Sequence, residues 1–295
     1  MLKVNKIILG TVQLGLEYGI NNTEGKPNLE KSFNILKEAY ALGIRTLDTA
    51  EAYGDAHFII KLFHEQVPFR FKIISKYASK IKTFPSDIAV RLEKHCIDFD
   101  VPHLEAYMFH SYDDFKETLQ REPMILKKLK NSTFTKKIGV SVYDNNQIED
   151  VLNYEEIKLI QVPFNVFDND NLRKEILLKA QKKGVEVHTR SVFLQGIFFK
   201  DFNNLKGNLV GLKNNLIDLD EIVKKNKSNK IDIALNYAIS KEYINKVLIG
   251  VDNVDQLKRN IKALETFDDW KALKEIDDKI HISNNELLNP SKWNY

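Results

Sequence analysis

Apolar residues in this chain fall into short runs separated by longer amphipathic stretches. The first run, residues 6–12, reads Lys-Ile-Ile-Leu-Gly-Thr-Val. A near-continuous apolar run of that length suits a strand buried on both faces. Gly15, Tyr18, Gly19 and Gly25 then mark a long loop. Over residues 29–42 the period becomes helical, with Phe33, Leu36 and Tyr40 on one face and Gly43 as the stop. The alternation continues with predicted strands ending at Asp48 and covering 71–75, 104–109, 137–141, 157–162, 185–189 and 246–249. Between them the spacing predicts helices over 55–66, from an N-cap at Ser86 onward, and over 114–130, 147–152, 171–183, 231–239 and 253–264. The helix at 55–66 is expected to turn Phe58, Leu62 and Phe63 inward, and the next one Ile88, Leu92 and Cys96. Residues 190–230 are rich in Asn, Lys and Phe, with a helical patch at 216–225.

Eight strand–helix units result, most of them about 25–35 residues apart, the size of a βαβ repeat. No linker or shift in composition divides them, so the expectation is a single (β/α)8 TIM barrel over residues 1–295, with a tail at 266–295 that holds Trp270 and Trp293. The rival is an open doubly wound sheet, which would place a Gly-rich phosphate turn after an early strand. Gly10 to Gly15 reads Gly-Thr-Val-Gln-Leu-Gly and fails that spacing.

Composition narrows the partners. The 295 residues are 43% hydrophobic and 29% charged, with a net charge of +3, which argues neither for nor against a nucleic-acid partner, and none is expected. Cys96 is the one cysteine, so neither an intrachain disulfide nor a multi-cysteine metal site can form. Residues 1–6 lack a signal-peptide core, and no apolar run reaches the roughly 20 residues of a membrane helix. The expected location is cytoplasmic, without a membrane partner.

In a (β/α)8 barrel the chemistry lies at the C-terminal ends of the strands. The polar residues expected there are Thr11, Asp48, Lys76, His110, Ser141, Gln161, Arg190 and Ser191. Asp48 could cap a helix, Tyr53 could pack, Lys76 could be solvated and His110 could be a core histidine. Taken in order, each after its own strand, they point to one site. A carbonyl reduced by hydride needs a proton, which a tyrosine can donate. A lysine cation beside it favours the phenolate and would lower its pKa. Asp48 can hold Lys76, and a neutral His110 can orient the carbonyl oxygen.

The order Asp48, Tyr53, Lys76, His110 resembles the catalytic tetrad of the aldo-keto reductases, and the likeness runs from Leu9-Gly10-Thr11 to Asn260. It implies an NAD(P)-dependent oxidoreductase that reduces an aldehyde or ketone, with Tyr53 as proton donor. It also implies a cofactor site built from Gly10, Thr11, Asp48, Ser141, Gln161, Arg190, Ser191, Phe193, Gly196, Gly250, Gln256, Arg259 and Asn260. Ser141 and Gln161 would hold the nicotinamide amide, although the asparagine that often follows the serine is Val142 here. NADP(H) is the dinucleotide expected from the family, with NAD(H) the alternative. The positions that usually clamp the 2′-phosphate are Gly250 and Gln256, so Lys258 or Arg259 is expected to compensate, with Arg259 the favoured of the two. The opening Leu-Gly-Thr-Val-Gln-Leu-Gly is similar to a bacterial branch associated with surface-sugar metabolism, which points to a keto-sugar or sugar-like small-molecule substrate. Tyr18, Tyr53, Tyr77 and His110 are the substrate-contact candidates, and Tyr112, Phe164 and Phe198 are further wall candidates. The stretch before the first strand is too short for the hairpin that usually plugs the barrel bottom in this family.

Two other readings stay open on sequence alone. One is a cofactor-binding regulatory module of the same fold with little turnover. The other is a metal-dependent sugar isomerase on the same barrel, which needs several acidic and histidine ligands at strand ends. Only Asp48 and His110 qualify, so no metal is expected.

Overall fold

Eight parallel strands close into a barrel in sequence order, each hydrogen-bonded to the next and the last to the first. They are β1 (Ile7–Gly10), β2 (Thr46–Asp48), β3 (Lys72–Tyr77), β4 (Ala106–Phe109), β5 (Ile138–Ser141), β6 (Ile157–Pro163), β7 (Glu186–Arg190) and β8 (Lys246–Ile249). The closed ring excludes the open doubly wound sheet. The computed structural model describes residues 3–22, 24–81, 84, 86–267 and 269–294. Met1 and Leu2 of the leading segment and Tyr295 of the tail lie outside the described residues.

Twelve α-helices occur among the described residues. They are α1 (Val12–Gly15), α2 (Leu29–Ala41), α3 (Ala56–Gln66), α4 (Ile88–Phe99), α5 (Tyr112–Arg121), α6 (Ile125–Lys130), α7 (Asn145–Val151), α8 (Asp170–Lys182), α9 (Lys213–Lys225), α10 (Lys230–Ser240), α11 (Val254–Thr266) and α12 (Trp270–Lys279). Because strand side chains alternate, Ile8, Ile74, Ala106, Met108 and Leu159 fill the barrel interior with Leu248 against them. The opposite faces, including Leu9, Leu47, Ile73, Tyr107, Ile160 and Val187, pack outward on the helices. One layer above the apolar fill come Asp48, Lys76 and Gln161, each about 1% exposed.

Several local expectations are corrected. The first strand stops at Gly10, and Val12 opens a helical turn instead. Lys76 stands within β3 rather than after it. Phe58 is 59% exposed, since α3 needs only Ile59, Ile60 and Phe63 against the core. Asp87, not Ser86, caps α4, accepting from the amides of Ala89 and Val90. The single helix expected over 114–130 is two, α5 and α6, broken at Pro123, which lacks an N–H and bars the preceding residue from helical geometry. The tail carries α12 and two 3₁₀ turns, Asn285–Leu288 and Pro290–Lys292.

Candidate active site

The loop after β2 carries Tyr53, and a buried network fixes its course. The Glu51 amide donates to the Lys76 carbonyl at 3.1 Å. The Glu51 carboxylate accepts from Arg91 Nη1 (2.7 Å), Tyr107 Oη (3.0 Å) and the Ala78 amide (3.1 Å), with His95 Nε2 at 3.0 Å. The loop then turns at Gly54, where φ is +52° and a Cβ would stand 2.4 Å from the Gly15 carbonyl oxygen. Only glycine fits that close approach at positive φ.

Inside the barrel mouth, Asp48 sits between two donors. Lys76 Nζ pairs with Asp48 Oδ1, and Gln161 Nε2 donates to Oδ2 at 2.8 Å. Lys76 Nζ also donates to the Thr49 carbonyl at 3.2 Å and stands 3.5 Å from Tyr53 Oη. The His110 ring meets the Tyr53 ring edge-on, with centroids 5.5 Å apart. Four side chains, from β2, β3, the loop after β2 and the residue just past β4, therefore face a common point. The arrangement sets their protonation. Burial, followed by the Lys76 charge, pulls His110 down to about 4, so its ring is neutral at neutral pH. Burial also lowers Lys76, and the Asp48 carboxylate works against that shift. The Tyr53 hydroxyl is pushed well up, first by burial and then by Asp48, with Arg190 opposing. A lowered tyrosine is the reverse of what is found. Burial disfavours the phenolate first, and the Asp48 carboxylate paired with Lys76 adds to that shift.

A cavity of about 550 Å³ opens from this point. Its lining includes Asp48, Tyr53, Lys76, His110 and Tyr18 at one end, Ser141, Gln161, Arg190, Ser191, Phe193 and Gly196 along its course, and Gly250, Gln256, Arg259 and Asn260 beside α11. Gly10 and Thr11 are not among its walls. They are buried beside β2, where Thr11 Oγ1 donates to the Asp48 carbonyl at 3.0 Å. Tyr77 is also misplaced by the sequence reading. It follows Lys76 on β3 and so points outward, 2% exposed, its hydroxyl accepting from Arg121 Nη2 at 3.1 Å. Tyr112 binds Asp150 at 3.0 Å, Phe164 stacks on Tyr237 and Phe198 meets Phe167, so none of these three walls the cavity.

Other cavity residues carried no signal noticed in the sequence. Tyr143, just past β5, lies 4.1 Å under the Arg190 guanidinium. Its aromatic ring two residues beyond a strand end was a readable cue. Loops after β1 and β7 clasp each other: Asn21 Nδ2 donates to the Gly196 carbonyl at 2.6 Å, and Gln195 Nε2 to Tyr18 Oη at 2.9 Å. Gln13 and Asp252 each keep one buried oxygen without a donor, Oε1 and Oδ1 respectively.

These walls suit a dinucleotide. The cavity is lined from Asp48 and Lys76 through Ser141, Gln161 and Arg190 to Gln256 and Asn260 of α11, Gln13 Oε1 lacks a partner within it, and at Gly196 and Gly250 the Asn21 and Gln13 side chains take the space a Cβ would need. Among the described residues, no three His, Cys, Asp or Glu side chains converge as metal ligands, and no helix is long and apolar enough to cross a membrane.

Residues 6–280 match the model of the aldo/keto reductase family. The chain belongs to the aldo/keto reductase family. It is accordingly an NAD(P)-dependent oxidoreductase acting on carbonyl and alcohol groups. Among curated relatives it is 22% identical to the NADH-specific methylglyoxal reductase of Escherichia coli, covering 89% of this chain and 90% of that protein. It is 26% identical to aldo-keto reductase family 1 member A1 of Gallus gallus, over 57% of this chain and only 58% of the relative's length. Two solved structures share the fold: aldo-keto reductase AKR11C1 from Bacillus halodurans in its holo form, with TM-score 0.71, 19% identity and coverage of 92% and 91%, and glycerol dehydrogenase AKR11B4 from Gluconobacter oxydans, with TM-score 0.70, 18% identity and coverage of 92% and 90%.

Proposed function

We propose that this aldo-keto reductase reduces a small polar aldehyde or ketone, with a keto-sugar or sugar-like carbonyl as the favoured class, and that Tyr53 donates the proton. The observation that carries this is the contact of Tyr53 Oη with a lysine whose charge is fixed by Asp48, at the mouth of a dinucleotide-sized trench. Bound NAD(P)H supplies the hydride that the carbonyl carbon receives. The chain's own work is done at the oxygen. A neutral His110 has an N–H with which to hold it, and Tyr53 gives its proton as negative charge develops there. The raised tyrosine pKa keeps that proton in place until it is needed, and the Lys76 ammonium then stabilises the phenolate left behind. Asp48 keeps Lys76 protonated inside a buried site. Gln161 and Ser141 line the course past this point and are the candidates to hold the nicotinamide amide. Polar walls at Tyr18 and Tyr143, with Arg190 above the latter, favour a hydroxylated substrate over an apolar one. The methylglyoxal reductase relative supports a small, polar carbonyl.

Steady-state turnover on a panel of methylglyoxal, simple aldehydes and keto-sugars, with NADH and with NADPH, tests the reading. Reduction of at least one polar carbonyl is expected. Tight dinucleotide binding without turnover on any of them would sink it in favour of a cofactor-binding module.

A further inference from the structure

We infer that Asp252 makes this chain select NADH over NADPH, its carboxylate taking the adenosine ribose hydroxyls and repelling a 2′-phosphate. The inference rests on the reading above, in which the nicotinamide lies beside Tyr53. A dinucleotide in the same cavity would bring its adenosine to the part lined by Asp252, Gln256 and Arg259 at the start of α11.

The hydrogen bonding at Asp252 is half complete. Oδ2 accepts from Gln256 Nε2 at 3.1 Å, whereas Oδ1 is buried and has no donor. A buried carboxylate oxygen without a donor costs free energy, and a hydroxyl is the natural complement. Ribose with free 2′ and 3′ hydroxyls brings donors. A 2′-phosphate brings acceptors and close to two negative charges. The same contrast operates at the ribose of other dinucleotide sites, where an acid reads the 2′-hydroxyl and an arginine admits the phosphate.

The charges around Asp252 decide the sign. Glu24 reaches this wall from the β1 loop, its Oε1 accepting from Asn253 Nδ2 at 3.2 Å, while its Oε2 stands 3.5 Å from the exposed Lys31 Nζ, a pair that solvent screens. Together with burial, that second carboxylate pushes the Asp252 carboxyl above its usual range, which is how like charges held close behave. Gly250 and Gln256 are uncharged. Lys258 faces away, 3.5 Å from Glu38. Arg259 is the cation of α11 that lines the cavity, and it is exposed, so solvent and salt screen it more than the half-buried acid. The acid therefore outweighs the cation that the sequence singled out.

Titration of the full chain with NADH and NADPH by intrinsic fluorescence, at one ionic strength, tests this without any substrate. Wild type should bind NADH about tenfold tighter or more, the scale of a charged hydrogen bond. Asp252→Asn should weaken NADH, strengthen NADPH and so collapse the ratio, and Asp252→Ser should do likewise. Circular dichroism and thermal midpoints identify a variant that fails to fold, in which case the wild-type ratio and the second variant carry the test. A wild-type preference for NADPH, equal affinities, or variants that weaken both dinucleotides alike would overturn the inference. Failure of wild type to bind either one would overturn the carbonyl-reduction reading as well, whereas a ratio near one overturns only this inference.

Discussion

Gln161 Nε2 donates to Asp48 Oδ2 at 2.8 Å, joining β6 to β2 across the barrel interior. Lys76 occupies the other carboxylate oxygen from β3. A buried ion pair is tolerable only when its remaining hydrogen-bonding capacity is used, and Gln161 uses it. Gln161→Leu should cost about 1–3 kcal/mol, the penalty of a buried acceptor left bare. Urea unfolding measures it, and an unchanged midpoint would show that water replaces the amide there.

Tyr53→Phe removes one oxygen from the group proposed to give the proton. Loss of a general acid lowers kcat by roughly 10²–10⁴-fold. Dinucleotide affinity should stay within a few-fold, because the change affects the transition state and not the cofactor contacts. Wild-type turnover by the folded variant would remove Tyr53 from the mechanism.

Lys76→Met leaves Asp48 buried with only Gln161 as partner. Breaking a buried pair from one side costs about 3–5 kcal/mol, and activity should fall with it. Adding Asp48→Asn to this variant removes the stranded charge and should restore part of the stability while leaving activity low. Additive losses in the double variant, measured by denaturant titration, would mean the pair has no coupling.

Much of this arrangement could be read from the chain because barrel strands are short apolar runs whose last inward residue is polar. Asp48 and Gln161 announce themselves that way. Tyr77 did not, since the strand runs two residues past the end that the apolar run suggested, which puts Lys76 inside and turns its neighbour out. Phe58 misled for another reason: helical spacing identifies a face, and α3 buries a narrower one than its apolar content allows. Pro123 was visible and should have divided α5 from α6. The raised tyrosine pKa was beyond reach, because it depends first on how deeply the hydroxyl is buried and then on the Asp48 charge beside it. So was the donorless oxygen of Asp252, a property of packing around one loop.

His57, His64, His110 and His188 all have pKa values below the usual histidine range, each chiefly through burial, with His110 down to about 4. In the unfolded chain the same rings titrate near 6.5. Between those limits the unfolded state binds protons that the folded state does not, so stability must fall as pH drops. The contribution is fully present above about 6.5 and is lost on the way down through each folded pKa, at roughly 1.4 kcal/mol per pH unit per histidine where the shift is complete. Asp168 and Asp252, whose carboxyls are raised, act in the opposite direction, but only where carboxylates titrate. The urea midpoint should therefore drop clearly between about pH 7 and about pH 5.5, above the ordinary carboxylate range. His110→Asn, which keeps a neutral polar ring substitute, should flatten that slope by about one proton's worth. A midpoint independent of pH in this window would mean that the four rings take up protons in the folded state as readily as in the unfolded one.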